Sequence, residues 1–430
     1  MRILLIGSGG RESALAWKIS QSPLLEKLVI APGNPGTAAY GENAAVQVTD
    51  VEGLVSLAVE MKADLVVVGP ENPLVEGIAD DLVSRGIPVF GPRADAAELE
   101  GSKAWCKDLL ERHRVPTPAC RVFSDLNPAI SYLEGGARYP LVVKASGLAA
   151  GKGVIICQDA LSATGAVREM LDEKAFGEAG STLLVEEFII GPEASAFALT
   201  DGRTLMPLET CQDHKALEEG NNGPNTGGMG AISPNPKVGE RMRDTIEREV
   251  LLPTLHGMNH EARPFQGVLF AGLILTVAGP KVLEYNVRFG DPECQVLMMR
   301  LKSDLVPLML AVATGKLDEC EGPEWDSRCC VTVILASEGY PGKYPTGMPI
   351  HGLGDVASGE DLQVFHCGTA LEEGHLVTAG GRVLAVTAMG ESVSDARERA
   401  YAAVDVIDYE GKIFRKDIGE PVEEAAEVVL

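Results

Sequence analysis

The sequence predicts a multidomain α/β and α+β protein: an N-terminal doubly wound parallel sheet, a mixed central region and a small α+β unit at the C-terminal end. Three observations lead there. In the first stretch, short apolar runs ending in Gly or Pro alternate with helical patterns, as a buried parallel sheet requires. Further along, strand and helix patterns mix without that regular alternation. The length of 430 residues also exceeds a single core; at roughly 100–200 residues per domain it predicts two to four domains. The expected divisions are 1–102 (Rossmann-like), 103–320, with a flap subdomain at about 120–190, and 321–430.

The N-terminal strands are "RILLIG", "KLVIAPG", "DLVVVGPE" and "IPVFGP", and the helices between them are "RESALAWKIS", "VEGLVSLAVEM" and "VEGIADDLVSRG". Ligands of such sheets sit at the C-terminal ends of the strands. Those ends carry "GSGGRE", "PGNPG" and "GPENP". A helix follows over 101–113, and "VPTPACRVF" connects into the mixed region. There the pattern predicts a helix at 128–135, strand "PLVVKA", strand "GVIIC", a helix at 160–171 and strand "STLLVEEFI". Next come strands "ASAFALT", "TLMPLE", "GVLFAGLILT" and "KVLEYNV", with helices near 238–258 and 293–300. The last unit has strands "CCVTVILA", "QVFHCGT" and "RVLAVTAMG", a helix near 394–407, and an ending "EPVEEAAEVVL" that reads as a short helix or frayed tail.

Composition narrows the function. Hydrophobic content of 45% and charged content of 23% are ordinary for a globular core. A formal charge of −25 excludes broad contact with nucleic acid or anionic membrane, and leaves small-molecule partners. The N-terminal apolar run is too short for a signal peptide, and no apolar stretch is long enough to span a bilayer. Nine scattered cysteines without a CxxC pair read as reduced thiols of a cytoplasmic protein. His256 and His260 share a helical face but lack the Glu of HExxH.

"KASGLAAGKGV" (144–154) poses the chemical question. It is not a Walker A loop: Gly147 and Gly151 are too close, Gly153 stands where Ser or Thr belongs, and a β-branched strand follows. It reads as a glycine-rich hairpin, either a plain surface turn or a flap whose amides and lysines hold phosphate. "GSGGRE" misses the dinucleotide fingerprint because Glu12 replaces its last glycine. It reads as a tight βα turn, structural or able to bind one phosphate through its amides and Arg11. "LLVEEFIIGPE" reads as a strand and loop with Glu186, Glu187 and Glu193, able to bond an adenine amine through backbone and a ribose through a carboxylate, or as a turn with solvated charges. In "EYNVRFGDPE", Glu284, Asn286 and Arg288 alternate onto one strand face. The first two suit a hard cation, and the third a carboxylate. "DHK" (213–215) and "GPNTGGMGA" (223–231) read as site loops.

Together these segments, with "PGNPGTA", "GPENPLV", "EGSKAW", "GYPG", "HGL" and "FRKDIG", resemble the phosphoribosylamine–glycine ligase (glycinamide ribonucleotide synthetase) family of the ATP-grasp superfamily, over nearly the whole length. The resemblance implies an ATP-grasp central domain and a ligase of de novo purine synthesis. It assigns ATP to Lys103, Lys144, Gly151, Lys152, Gly153, Glu186, Glu187, Ile189 and Glu193, and the metal, Mg²⁺ or Mn²⁺, to Glu284 and Asn286. It assigns substrate contacts to Gly10, Arg11, Gly33, Asn34, Gly36, Glu71, Asn225, Thr226, Gly227, Gly228 and Asp291, and catalytic roles to Lys144, Lys152, Arg288, Asp213 and Lys215. A monomer or weak oligomer is expected. The chain departs from the family's usual His, Asp, Arg, Tyr and Cys at Ser13, Ser146, Ala216, Ile232 and Val287. The competing readings are another ATP-grasp ligase or carboxylase, a nicotinamide-dependent oxidoreductase, and an ATP sensor without turnover. "APGNPG" lacks the acid that the oxidoreductase needs after its second strand.

Overall fold

The computed structural model describes residues 1–149 and 153–420. The N-terminal sheet has five parallel strands in the order Glu42–Asn43, Lys27–Pro32, Arg2–Gly7, Leu65–Val68, Val89–Phe90. The first strand in sequence is central, so the sheet winds outward in both directions. Leu4 and Ile6 are buried on one face, Ile3 and Leu5 on the other, as apolar runs without alternation require. Residues 7–10, 33–37 and 69–71 lie at the C-terminal ends of the three inner strands.

Two antiparallel sheets follow. One orders Cys120–Phe123, Leu183–Glu187, Leu141–Ala145 and Val154–Cys157, with Leu126–Gly135 and Ala160–Leu171 packed in its own core. The other orders Leu205–Pro207, Glu193–Asp201, Gln266–Thr276 and Gly279–Asn286. The last sheet joins Cys329–Ser337, Arg382–Gly390 and Leu362–His366 to Gln212–Asp213 and Gly230–Ser233 from the central region, so it crosses the expected boundary at 320. The helix Val393–Val406 packs on this sheet.

Several elements differ from expectation. The helix expected over 75–86 is two, Glu71–Val75 and Ile78–Ser84, because Gly77 between them takes a left-handed φ of 91°. The one expected at 101–113 begins at Lys103, where the Ser102 side chain caps Trp105 N, and a separate helix, Ala94–Gly101, precedes it. The helix near 238–258 runs from Glu240 to His260 with a π turn at Glu247–Leu251. Pro253, just past that turn, has no N–H to offer the preceding ladder. Leu305–Thr314, where the pattern predicts no element, is a largely buried helix, apolar nearly all round and so without a polar stripe. Two regions read as loops contain short strands, Ala216–Glu218 pairing with Asn222–Asn225. The strand "QVFHCGT" ends at His366. The expected tail element at 421–430, and Gly151 and Lys152 of the glycine-rich segment, lie outside the described residues.

Candidate active site

Lys144 links the two antiparallel sheets. Its Nζ lies 2.8 Å from Glu186 Oε2 on the neighbouring strand and donates to Leu283 O of the opposite sheet at 3.3 Å. Lys107 reaches the same Glu186 oxygen at 3.4 Å, and all three side chains are buried. Glu186 Oε1 has no hydrogen-bond partner among the described residues. An acceptor left bare in a buried site suits a ligand's amino group. Lys103 opens its helix; its Nζ donates to Gly147 O at 3.2 Å, and Ser146 Oγ accepts from Ala104 N at 3.1 Å. The base of the glycine-rich segment is thus pinned to the end of a helix where an anion is favoured. Gly153 O accepts from Ala145 N at 2.8 Å, and a Cβ at Gly153 would stand 2.8 Å from Ala149 Cβ. Glu187 pairs with Lys281 at 2.9 Å, and Ile189 is half-buried.

The strand Gly279–Asn286 realises the expected alternation. Glu284, Asn286 and Arg288 are half-buried, while Tyr285, Val287 and Phe289 are buried behind them. Burial pushes the Glu284 carboxyl up, but Lys215, then Lys103 and Lys144, outweigh it and hold it at about 2. Lys215 Nζ lies 3.4 Å from Glu284 Oε1 and 3.6 Å from Glu193 Oε2. Burial lowers Lys215, and the charges of Glu193, Glu284, Asp213 and Glu293 more than reverse it. Asp213 is half-buried beside this ammonium, with its buried Oδ1 unpartnered among the described residues; burial, then the Glu293 charge, push its carboxyl well up. Ser195 Oγ donates to Glu293 at 2.9 Å. An ionised carboxylate and an amide oxygen on one face fit a hard divalent cation. Among the described residues no group of three or more His, Cys, Asp or Glu could hold a metal.

The strand ends of the N-terminal sheet close the far side. Arg288 lies between Glu71 (3.0 Å) and Glu100 (2.7 Å). Burial raises Glu71, but Arg288 and then Arg11 hold it at about 2. Burial pushes Glu100 up to about 7, with Arg288 opposing and Glu71 adding. Asp291 accepts from Arg11 N at 3.4 Å and Gln295 Nε2 at 2.9 Å, and pairs with Arg382 at 3.3 Å. A Cβ at Gly10 would lie 2.6 Å from Cys367 Sγ, and one at Gly36 2.5 Å from the His366 ring, so both glycines sit against the C-terminal sheet.

Three expected ligand groups turn inward instead. The Arg11 guanidinium meets Glu12 Oε1 at 2.5 Å and Phe289 O at 3.2 Å, because the buried Glu12 carboxylate needs a counter-charge. Asn34 donates to Ser8 O, Ser13 Oγ and His366 O and accepts from the amides of Gly36 and Thr37. It builds its own loop, in which Gly33 takes φ 69°. Thr226 Oγ1 donates to Lys215 O and accepts from Gly228 N. Asn225 is exposed on the Asn222–Asn225 strand, and Gly227 N donates to Tyr340 Oη at 2.9 Å.

Sequence reasoning missed Lys107, Glu12, Glu100 and Arg382. Lys107 had a signal, its position one helical turn after Lys103. Arg382 had none, since its partners are 91 or more residues away. Arg415 explains "FRKDIG": it pairs with Asp417 and donates to Ala216 O and Asn221 Oδ1, fastening the loop after "DHK". Among the described residues no helix is long and apolar enough to cross a membrane.

Residues 1–100, 101–294 and 330–421 match the N, ATP-grasp (A) and C domains of phosphoribosylglycinamide synthetase. The chain is 53% identical over 420 residues to a phosphoribosylamine–glycine ligase of Caulobacter vibrioides, covering 97% of this chain and 98% of that one. It superposes on the crystal structure of the phosphoribosylamine–glycine ligase of Thermotoga maritima with a TM-score of 0.83 at 31% identity, covering 97% of this chain and 100% of the other. The biotin carboxylase domain of Hydrogenobacter thermophilus 2-oxoglutarate carboxylase, solved with MgADP and bicarbonate, shares the fold at a TM-score of 0.74 and 19% identity, over 96% and 91% of the two chains. With matches to all three of its domains and more than half its residues shared with a relative over nearly its full length, the chain belongs to the phosphoribosylglycinamide synthetase family.

Proposed function

We propose that this chain joins glycine to 5-phosphoribosylamine, giving glycinamide ribonucleotide, ADP and phosphate through glycyl phosphate, as a step of de novo purine synthesis. The observation that carries this reading is the convergence of three lysines on one carboxylate: Lys215, Lys103 and Lys144 all lower the Glu284 carboxyl, and Lys144 Nζ reaches Leu283 O beside it. Arg288 and Asp291 lie at the strand ends of the N-terminal sheet.

The ATP phosphates bind between Lys103, Lys144 and the glycine-rich segment, where Lys152 adds a charge. The adenine amine meets Glu186 Oε1, with Glu187 and Ile189 flanking it, and Glu193 takes the ribose. Glu284 and Asn286 hold Mg²⁺ or Mn²⁺, which when bound neutralises phosphate charge. A carboxylate attacking phosphorus adds negative charge to an anionic centre, and the lysines lower that barrier. Arg288 orients the glycine carboxylate, exchanging part of its pairing with Glu71 and Glu100. The aminosugar lies along Gly10, Gly33 and Gly36, with phosphate held by backbone amides rather than by the Arg11 guanidinium. Its amine attacks the acyl phosphate beside Asp213, the Gly227–Gly228 loop and Asp291; phosphate leaves, and the amine's proton passes to Asp213 or solvent. Excluding water protects the acyl phosphate. The same reading makes the protein a cytoplasmic monomer or weak oligomer.

The test is ADP release with ATP, Mg²⁺, glycine and phosphoribosylamine formed in situ, each omitted in turn. All four are expected to be required. ADP formed without the aminosugar, or with glycine replaced by another acid, would refute the assignment. Glu284→Ala is expected to abolish turnover; unchanged activity would sink its role.

A further inference from the structure

"GYPG" at 339–342 has no role in that reading, and neither does "GGR" at 380–382, which leads into the strand Arg382–Gly390. Both meet the Gly227 peptide. Arg382 Nη1 donates to Gly227 O and Asp291 O at 2.7 Å and to Gly228 O at 3.4 Å. Its Nη2 lies 3.3 Å from Asp291 Oδ2. On the other side of the peptide, Tyr340 Oη accepts from Gly227 N at 2.9 Å. Arg382, at the start of its strand, and Tyr340, in the loop after Cys329–Ser337, thus grip both backbone polar atoms of Gly227.

The close fit shows in the glycines. A Cβ at Gly227 would stand 3.1 Å from Arg382 Cζ and 3.2 Å from Tyr340 Oη, and one at Gly381 would stand 2.2 Å from the Tyr340 ring. Gly228 follows at φ 110°, with Asp213 Oδ1 2.7 Å from its Cβ position. Asp291 is tied in turn to Arg11 N at the first strand end. One guanidinium therefore joins three pieces of chain: the 227–228 loop, the turn after the metal-pair strand, and the C-terminal sheet. None of these carbonyls belongs to a sheet ladder, and a mostly buried charge is costly unless fully paired. A planar fork with several donors meets this set of acceptors; a lysine's point charge does not.

We propose that Arg382, with Tyr340, is the positioning group through which the C-terminal sheet sets the acceptor end of the site. It does not touch the reacting atoms. It holds Asp291 and the Gly227–Gly228 peptide so that glycine and the aminosugar align with the nucleotide. This inference rests on the proposed function, in which those two segments serve the non-nucleotide substrates.

The experiment measures KM for each substrate and calorimetric binding of MgATP for wild type, Arg382→Ala, Arg382→Lys and Tyr340→Phe. Removing hydrogen bonds to a charged group predicts a roughly 10–100-fold rise in KM for glycine and the aminosugar in Arg382→Ala. ATP binding stays unchanged, Lys does not restore function, and added methylguanidinium restores part of it. Tyr340→Phe, which removes only a hydroxyl, raises the same two constants roughly 3–10-fold and keeps the inference testable if the Arg382 variants fail to fold. Equal rises for all three substrates, or constants like wild type in Tyr340→Phe, would overturn it. If wild type itself releases ADP without needing glycine or the aminosugar, the proposed function fails first. If wild type needs both and the variants match it, only this inference fails.

Discussion

Replacing Glu186 by Gln isolates the electrostatics of the nucleotide wall. Two buried ammonium groups, Lys144 at 2.8 Å and Lys107 at 3.4 Å, share one carboxylate oxygen. Glu186→Gln leaves both lysines without an anion, and removing one partner of a buried pair costs roughly 3–5 kcal/mol. Lys107 keeps Thr117 Oγ1 at 2.6 Å and Lys144 keeps Leu283 O at 3.3 Å. Those contacts put the loss at the lower end, about 3 kcal/mol. Lys107→Met is different, because a neutral Lys144–Glu186 pair survives and only hydrogen bonds are lost, about 1–2 kcal/mol. The two variants therefore differ in a set order. Separate cores need not unfold together, so a single melting curve is a poor reporter. Amide hydrogen exchange at Leu141–Ala145 and Leu183–Glu187 reads the site locally, and about 3 kcal/mol is a rate increase of roughly a hundredfold. Burial already lowers Lys107 while Glu186 raises it. Without Glu186 it sheds its proton more readily, so the native state binds fewer protons than the unfolded one and the variant gains stability as pH rises. If Lys107→Met loosens these strands as much as Glu186→Gln does, the shared-carboxylate account is wrong.

Burial, then the Arg415 charge, lower His214 from 6.5 to about 4, and burial lowers His366 to about 4. A base with a depressed folded pKa binds fewer protons when native, so its stabilisation is complete above pH 6.5 and is lost as pH falls toward 4. For buried His214 the full span is about 3 kcal/mol. Amide protection at Gln212–Asp213 and Gly230–Ser233, corrected for intrinsic exchange, should fall between pH 7 and 4.5, and less steeply in His214→Gln; an unchanged slope would contradict the assignment. Gly228→Ala places a Cβ 2.4 Å from Pro292 Cδ at φ 110°. Backbone strain of roughly 1–3 kcal/mol and a displaced acceptor loop are expected. The measurement is kcat/KM for glycine, and a value equal to wild type would contradict the close approach.

What was legible in the sequence was what depends on near neighbours. Buried parallel strands show as unbroken apolar runs, so "RILLIG" and "LVVV" identify the sheet before any contact is known. The two-residue period of a strand puts Glu284, Asn286 and Arg288 on one face. Glycines at the strand ends mark where backbone must approach backbone or ligand. Local patterns failed where surroundings override periodicity. Leu305–Thr314 has no polar side to reveal its helical period, and the helix over 75–86 is broken by one left-handed glycine.

The sequence by itself determined the class of sheet, the order of its site loops and the chemical types of side chain available: two lysines before a glycine-rich segment, a Glu–Asn pair, and Asp and Arg beyond it. Only the tertiary structure decided which charge meets which. Arg288 lies between Glu71 and Glu100, and Arg11 and Asn34 turn inward. Arg382 reaches across from the last sheet to Asp291. The reason is physical: a side chain's direction along a strand follows from its own backbone, but a charge's partner is set by burial and by which distant carboxylates and carbonyls packing brings within about 3 Å.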